Sequence, residues 1–342
     1  YNCDLCYGSV FSCLTKDKKR YISIHKDDIM FVILRVYYYR PSAIEIFTSN
    51  NKSYYFNFDK EINPYNGQLF GFFKKGEFLE IKAKDENKGI FYRGLNADYK
   101  FIGMYNPKYS DILYPLFEDE YIDMWNDKIN YYSNFDKLMI INLFSNRSFN
   151  DLYQYPVFPM LYNVIGMNRN MKEPIGFQTL TQDSKDRRQL IIDSYNYASE
   201  NEEIDNDNEN GYFNLFYSNI TYTCNYLIRV FPYSFIAIEY QGDGFDDPNR
   251  LFFSINSTFN NTLNQRGDLR ELIPEIFYFP PLFYNENELQ FNKISDGHEI
   301  DCVSIQDWNE IPLRKYIFIR DIKNSLEKEE NINLWIDLMF NR

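Results

Sequence analysis

Arg147-Ser148-Phe149-Asn150-Asp151-Leu152-Tyr153-Gln154-Tyr155-Pro156-Val157-Phe158-Pro159 follows neither the helical nor the strand period. Rings and polar side chains mix irregularly, and two prolines close the stretch. Proline disfavours helix in the residue before it, which predicts an extended run over Asn150–Pro159. Extended backbone without a ladder partner still needs its N–H and C=O groups satisfied. Arg147, Asn150, Asp151 and Gln154 are the side chains within reach. Ile273-Pro274-Glu275-Ile276-Phe277-Tyr278-Phe279-Pro280 has the same character and carries the same expectation.

Outward from this stretch, the C-terminal part reads as helical. Asn134 is a candidate cap for a helix carrying Phe135, Leu138, Met139 and Leu143. Asp183–Tyr197 forms a second helix, and the acid- and Asn-rich span Ser199–Gly211 an exposed loop. A helix from Thr221 to Val230 should stop at Pro232. Asp247-Pro248 is the expected cap of one helix carrying Leu251, Ile255, Phe259 and Leu263. Asn331–Phe340 closes the chain. On the N-terminal side, Tyr7–Leu14, Lys19–His25, Ile29–Val36, Ser42–Thr48 and Lys52–Phe58 read as strands, rich in β-branched and aromatic residues. Asn63-Pro64 then opens a lid helix with Tyr65, Leu69, Phe72 and Phe73. The predicted organisation is a β-domain over residues 1–75, a linker or insertion over 76–120 and an α-rich domain over 121–342.

Composition excludes several functions. The 342 residues carry a net charge of −13, but residues 1–75 hold 11 Lys+Arg against 7 Asp+Glu, a balance of +4 that leaves −17 for the rest. So acidic a chain is expected to be a poor general nucleic-acid binder, because phosphate contacts need clustered cations. Five scattered cysteines suit reduced thiols, and Cys3-x-x-Cys6 lacks the second pair of a zinc site. The longest apolar run, Ile29–Leu34, is too short to span a bilayer. Only His25 and His298 are available as imidazole bases, and no phosphate loop, nucleophile elbow or metal-ligand cluster appears. Neither catalysis nor a cofactor nor a small-molecule substrate is expected.

The identity lies in a series of ordered motifs. Ser133-Asn134-Phe135-Asp136 through Asn150-Asp151-Leu152, then Gln154-Tyr155-Pro156-Val157-Phe158-Pro159, resembles the signature of the BEACH (Beige and Chediak-Higashi) family. Pro174-Ile175-Gly176, Tyr226–Arg229 with Pro232, Ile238-Glu239 with Gln241-Gly242, and Phe245-Asp246 with Arg250-Leu251-Phe252 follow in the family's order. Glu271–Glu275 and Trp335–Phe340 complete the set over residues 121–342. Upstream, Ala43–Phe47 and Tyr55–Phe58 resemble the PH-like domain that precedes BEACH. Departures fall at Asn214–Asn219, which lacks the family's His, at Ser145-Asn146, and at Met160, where the family has Trp.

The resemblance implies an α+β protein: a PH-like β-sandwich with a C-terminal helix, packed on an α-rich BEACH domain with extended, non-regular core segments. It implies a scaffold of vesicle and lysosomal trafficking, cytoplasmic and peripheral on membranes. Arg147, Asn150, Asp151, Gln154, Tyr155, Pro156, Phe158, Pro159, Arg229 and Glu239 are then structural signature residues. Phe277, Tyr278 and Phe279 are candidates for a peptide-binding groove, with a protein partner expected at the junction of the two domains. Lys16, Lys18, Lys19 and Arg20 are candidate lipid contacts, the alternative being a phosphoinositide-reading module. Four cations contribute about 4 kcal/mol at an anionic surface, which is roughly millimolar binding, so membrane contact is expected to be weak.

Overall fold

The computed structural model describes residues 21–25, 28–37, 40–50, 52–57 and 78–82, then 132–200, 219–242, 244–305, 311 and 313–340. Contacts divide the chain into two units, Tyr1–Ile129 and Asn130–Arg342. The expected strand Tyr7–Leu14, the helix from Asn63, the cations Lys16, Lys18, Lys19 and Arg20, and the Cys3/Cys6 pair lie outside the described residues.

Described strands of the first unit are β1 (Tyr21–His25), β2 (Ile29–Tyr37), β3 (Arg40–Thr48), β4 (Ser53–Asn57) and β5 (Phe78–Lys82). β2, β3 and β4 form an antiparallel sheet in that order, with Leu34 opposite Ile44 and Ile44 opposite Phe56. β1 pairs antiparallel with β5. β5 falls inside the span 76–120 expected to be a linker. Its Phe78, Leu79 and Ile81 favour a strand, but five residues between charged, Gly-bounded flanks give too short a pattern to stand out. On β3, Ile44 and Ile46 are buried, and so is Glu45 on the opposite face. Burial of Glu45 is possible because Arg35 of β2 meets its Oε2 with Nε at 2.8 Å and Nη2 at 2.7 Å. Deleting one partner of such a pair typically costs about 3–5 kcal/mol.

The helices described in the second unit are α1 (Asn134–Phe144), α2 (Gln182–Glu200), α3 (Ile220–Tyr226), α4 (Tyr233–Gln241), α5 (Ile255–Asn264), α6 (Leu313–Glu327) and α7 (Ile332–Phe340). Ser133, not Asn134, caps α1: its Oγ accepts the Asp136 N–H. Asn134 instead donates its side-chain amide to the Leu326 and Glu329 carbonyls, tying α1 to the end of α6. Asn219 caps α3, so that helix starts one residue early and ends at Tyr226, well before Pro232. Past Pro232 the chain re-enters a helix as α4. The single helix expected after Asp247 is two elements. Asp247 caps only a 3-10 turn, Pro248–Arg250, and Ser254 caps α5. Between them Phe253 O accepts the Ser304 N–H and Ile255 N–H donates to Ser304 O, so bonds to a distant strand-like segment displace helical ones. The expected loop from Ser199 begins inside α2, and its residues from 201 onward lie outside the described set.

The stretch Arg147–Pro159 is extended only in its second half. Asp151 Oδ1 accepts the N–H groups of Tyr153 and Gln154, Ser148 Oγ accepts that of Asn150, and Ser148 N–H donates to Gln154 O, folding 148–154 into a loop. From Tyr155 the chain runs extended through a buried bridge, Phe158 paired with Leu272 by two 2.8 Å bonds. Ile273–Pro280 is likewise not extended throughout, since Pro274–Phe277 and Pro280–Phe283 are 3-10 turns. Proline at the first position of each turn gives up a donor that has no partner there, so it starts these turns instead of preventing them. The rings of Phe135, Phe158 and Phe277 close the core here, with centroids 5.2 to 6.3 Å apart.

Candidate functional site

The interior charges of the second unit are engaged by the fold. Glu271 accepts from the Met160 N–H (2.6 Å), from Trp335 Nε1 (3.0 Å) and from both Arg169 amino groups (2.7 and 2.5 Å). Met160, where the family carries Trp, is buried at this junction. Arg187 donates to the carbonyls of Thr262 and Ile175. Arg229 donates to the carbonyls of Asp301 (2.8 Å) and Phe252 (2.6 Å) and lies over the Phe291 ring. Burial draws its guanidinium pKa down to about 10, and the nearby Cys302 and Asp301 offset this only in part. Glu275 is buried with its Oε1 2.5 Å from the Tyr155 hydroxyl and Oε2 without a partner among the described residues. Burial pushes its carboxyl up to about 7, against a smaller lowering by the Tyr155 hydrogen bond.

The signature residues therefore fall into several environments. Arg147 is half-buried and donates to Tyr155 O at 2.7 Å. Asp151, Tyr155, Pro156, Phe158, Pro159 and Arg229 are buried, while Asn150 and Gln154 are half-buried. Glu239 is exposed on α4, away from any structural role in the interior. Phe277 is fully buried and cannot wall an open groove. Phe279 is half-buried and only Tyr278 exposes its ring, at 45%. A residue outside the stretch Arg147–Pro159, with no local signal of its role, also holds the extended segment. Asn142 on α1 accepts the Val157 N–H (2.8 Å) and donates to Val157 O (2.9 Å), imitating a strand partner.

None of the anticipated residues lines the cavity that the second unit does carry. A cleft of about 410 Å³ opens between α3, α4, the Pro248–Arg250 turn and the segment after α5. Its floor is carbon and sulfur, from Cys224, Ile228, Ala237 and Leu251. Burial pushes the Cys224 thiol up to about 12, leaving it an inert packing group. One wall is Arg270, whose Nε and Nη2 grip Asp268 at 2.7 and 2.9 Å and whose Nη1 donates to Asn225 Oδ1 at 2.8 Å. Its guanidinium also lies over the rings of Tyr222 and Tyr226, at 5.0 and 5.7 Å. Burial opposes the Arg270 charge, but Asp268, Tyr226 and Tyr222 together outweigh it and hold the pKa above the usual value. Tyr240, Asp246, Asp247 and Arg250 stand at the cleft lining as well. In sequence these look like a helix end and a cap, so nothing but the fold reveals that they converge. Among the described residues, no group of three His, Cys, Asp or Glu side chains could hold a metal ion, and no helix is long and apolar enough to cross a membrane.

Comparison with known proteins agrees with the motif order. The PH domain associated with Beige/BEACH matches residues 9–64 and the Beige/BEACH domain residues 123–342. A Caenorhabditis elegans protein named for its likeness to neurobeachin is 28% identical over 92% of this chain and 12% of its own length. Human lysosomal-trafficking regulator is 30% identical over 61% of the chain and 6% of its own length. Mouse WD repeat- and FYVE domain-containing protein 4 is 30% identical over 66% and 7%. The chain thus spans about an eighth or less of each of these relatives. With a family model covering residues 123–342, and the motif segments from Asn150 to Phe340 in their expected order, the chain belongs to the Beige/BEACH domain family.

Proposed function

We propose that the chain is a non-catalytic, protein-binding scaffold module of vesicle and lysosomal trafficking, acting on the cytoplasmic side of membranes. What carries this is the use made of the charged groups. Arg187, Arg229, Glu271 and Arg169 end on backbone atoms, on each other or on an indole N–H, which is the behaviour of framework residues. The name of the human relative, a lysosomal-trafficking regulator, supports the trafficking assignment. Exposed rings supply contact surface: Phe231, just before α4, and Phe235 on it stack at 4.9 Å, 43% and 40% exposed.

Proximity labelling in cells with the full chain tests the reading, paired with incubation of the purified chain in a metabolite extract followed by mass spectrometry. The expected result is neighbours drawn from vesicle and lysosomal membranes and no chain-dependent metabolite conversion. A saturable conversion, or neighbours unrelated to membranes, would overturn it.

A further inference from the structure

The cleft beside α4 has features that select a class of ligand. Its volume, about 410 Å³, lies within the range of roughly 300–1,000 Å³ typical of binding pockets, enough for one or two side chains. The floor of Ile228, Ala237 and Leu251 is apolar, and the Arg270 wall is held rigid by three hydrogen bonds and two rings. Because all three nitrogens of Arg270 are engaged within the protein, that cation offers little to an anionic ligand. The mouth is different. Asp246 Oδ1 accepts the Asp247 N–H, and Asp247 Oδ1 accepts from Asn249. Among the described residues, both carboxylates use only Oδ1 within the protein, which leaves Oδ2 of each open to accept. Hydrogen bonds from the backbone and side chain of Asn249 hold the Asp247 carboxyl below its usual pKa, so it is charged at neutral pH. Arg250, 73% exposed and 3.7 Å from Asp246, offsets only part of this charge. Tyr240 adds a ring that is 56% exposed.

We propose that this cleft binds a short basic segment of a partner protein. An aliphatic side chain sits on the Ile228–Ala237–Leu251 floor, and a neighbouring lysine or arginine reaches the Asp246–Asp247 carboxylates across the Tyr240 ring. Charge-assisted hydrogen bonds and a cation–π contact fix the cation, while burial of the aliphatic group adds affinity. The net charge of −13 favours encounter with a basic partner and disfavours an acidic one. The proposal rests on the scaffold reading and adds the chemistry of one partner to it.

Random peptides about ten residues long, displayed on phage and selected on the full chain, supply the probe. The best binders are then synthesised with a fluorophore and titrated by anisotropy. Expected sequences place Lys or Arg beside an aliphatic residue, and binding weakens between about 0.05 and about 0.3 M salt. Asp246→Asn with Asp247→Asn, which preserves the turn acceptors, should weaken binding about tenfold or more. Tyr240→Ala should weaken it about fivefold, and its exposure makes it the safer variant if the double substitution lowers the melting temperature. Leu313→Ala, 59% exposed at the start of α6 and not part of the cleft lining, should leave affinity unchanged. Selection of no peptide, selection of acidic peptides, or affinities indifferent to Tyr240→Ala would overturn the proposal. Such a failure leaves the labelling experiment standing, so the two readings fall separately.

Discussion

Glu271 and Glu275 lie four residues apart in one motif and both are buried, yet their surroundings differ. Glu271 receives four donors: two from Arg169, one from Trp335 and the Met160 N–H. Glu275 receives the Tyr155 hydroxyl on one oxygen and no donor on the other. The contrast shows that burial alone does not decide what a carboxyl contributes; the number of donors does. Glu271 serves as a charged node joining three distant segments, while Glu275 is driven toward its neutral form.

The largest effect that tests this contrast is loss of the Glu271 node. Glu271→Ala leaves the Arg169 charge buried without its partner and should cost about 3–5 kcal/mol in denaturant unfolding. A variant as stable as the parent would mean that water or a neighbour replaces the carboxylate.

Glu275 should act through pH. Its folded-state pKa, raised from 4.5 to about 7, means the folded protein holds a proton that the unfolded chain releases. The stabilisation from this neutral carboxyl is fully present below pH 4.5 and is lost as pH rises from there through about 7. The total loss is about 3 kcal/mol, since each pH unit across that window removes about 1.4 kcal/mol. Glu275→Gln should remove that slope when unfolding curves of parent and variant are compared across the window. Tyr155→Phe takes away the donor that favours the charged form, so it should carry the falling limb to higher pH. A parent and Glu275→Gln pair with parallel pH profiles would break the assignment.

A smaller pair of substitutions sharpens the same contrast in the extended segment. Asn142→Ala removes the acceptor and donor for Val157 and should cost about 2–3 kcal/mol, because two buried backbone groups lose their partner. Arg147→Ala should cost less, about 1–2 kcal/mol, since Arg147 is only half-buried. Unfolding midpoints rank the two. The reverse order would return the supporting role to the motif arginine.

Much of the framework was legible in the sequence because it depends on neighbours along the chain. The alternation in Ser42–Thr48 gave a strand, and the polar cap before Phe135 gave a helix start that was off by one residue. The paired prolines of Tyr155–Pro159 gave extended backbone, and the order of motifs gave the family. The cleft was not legible. Asp246 and Asp247 have a complete local explanation as a cap and its neighbour, and Tyr222, Tyr240 and Arg270 are separated by up to 48 residues. No local pattern records that they meet.

Arg187 and Arg188 place the boundary between the two sources of information. Adjacent on a polar helix, they are equivalent to any rule of composition or period. In the fold Arg187 is buried and holds the carbonyls of Thr262 and Ile175, while Arg188 is half-buried, 3.4 Å from Glu173. Phe277 and Tyr278 divide in the same way, one ring in the core and the next partly exposed, edge-on to Phe135. Sequence by itself determined the β2–β4 strands and the approximate places of α1, α2 and α7, since capping, proline geometry and side-chain period act over a few residues. It missed β5, α4 and α6. Tertiary structure alone decided which member of each like pair faces inward, because that depends on where carbonyls and rings from distant segments arrive.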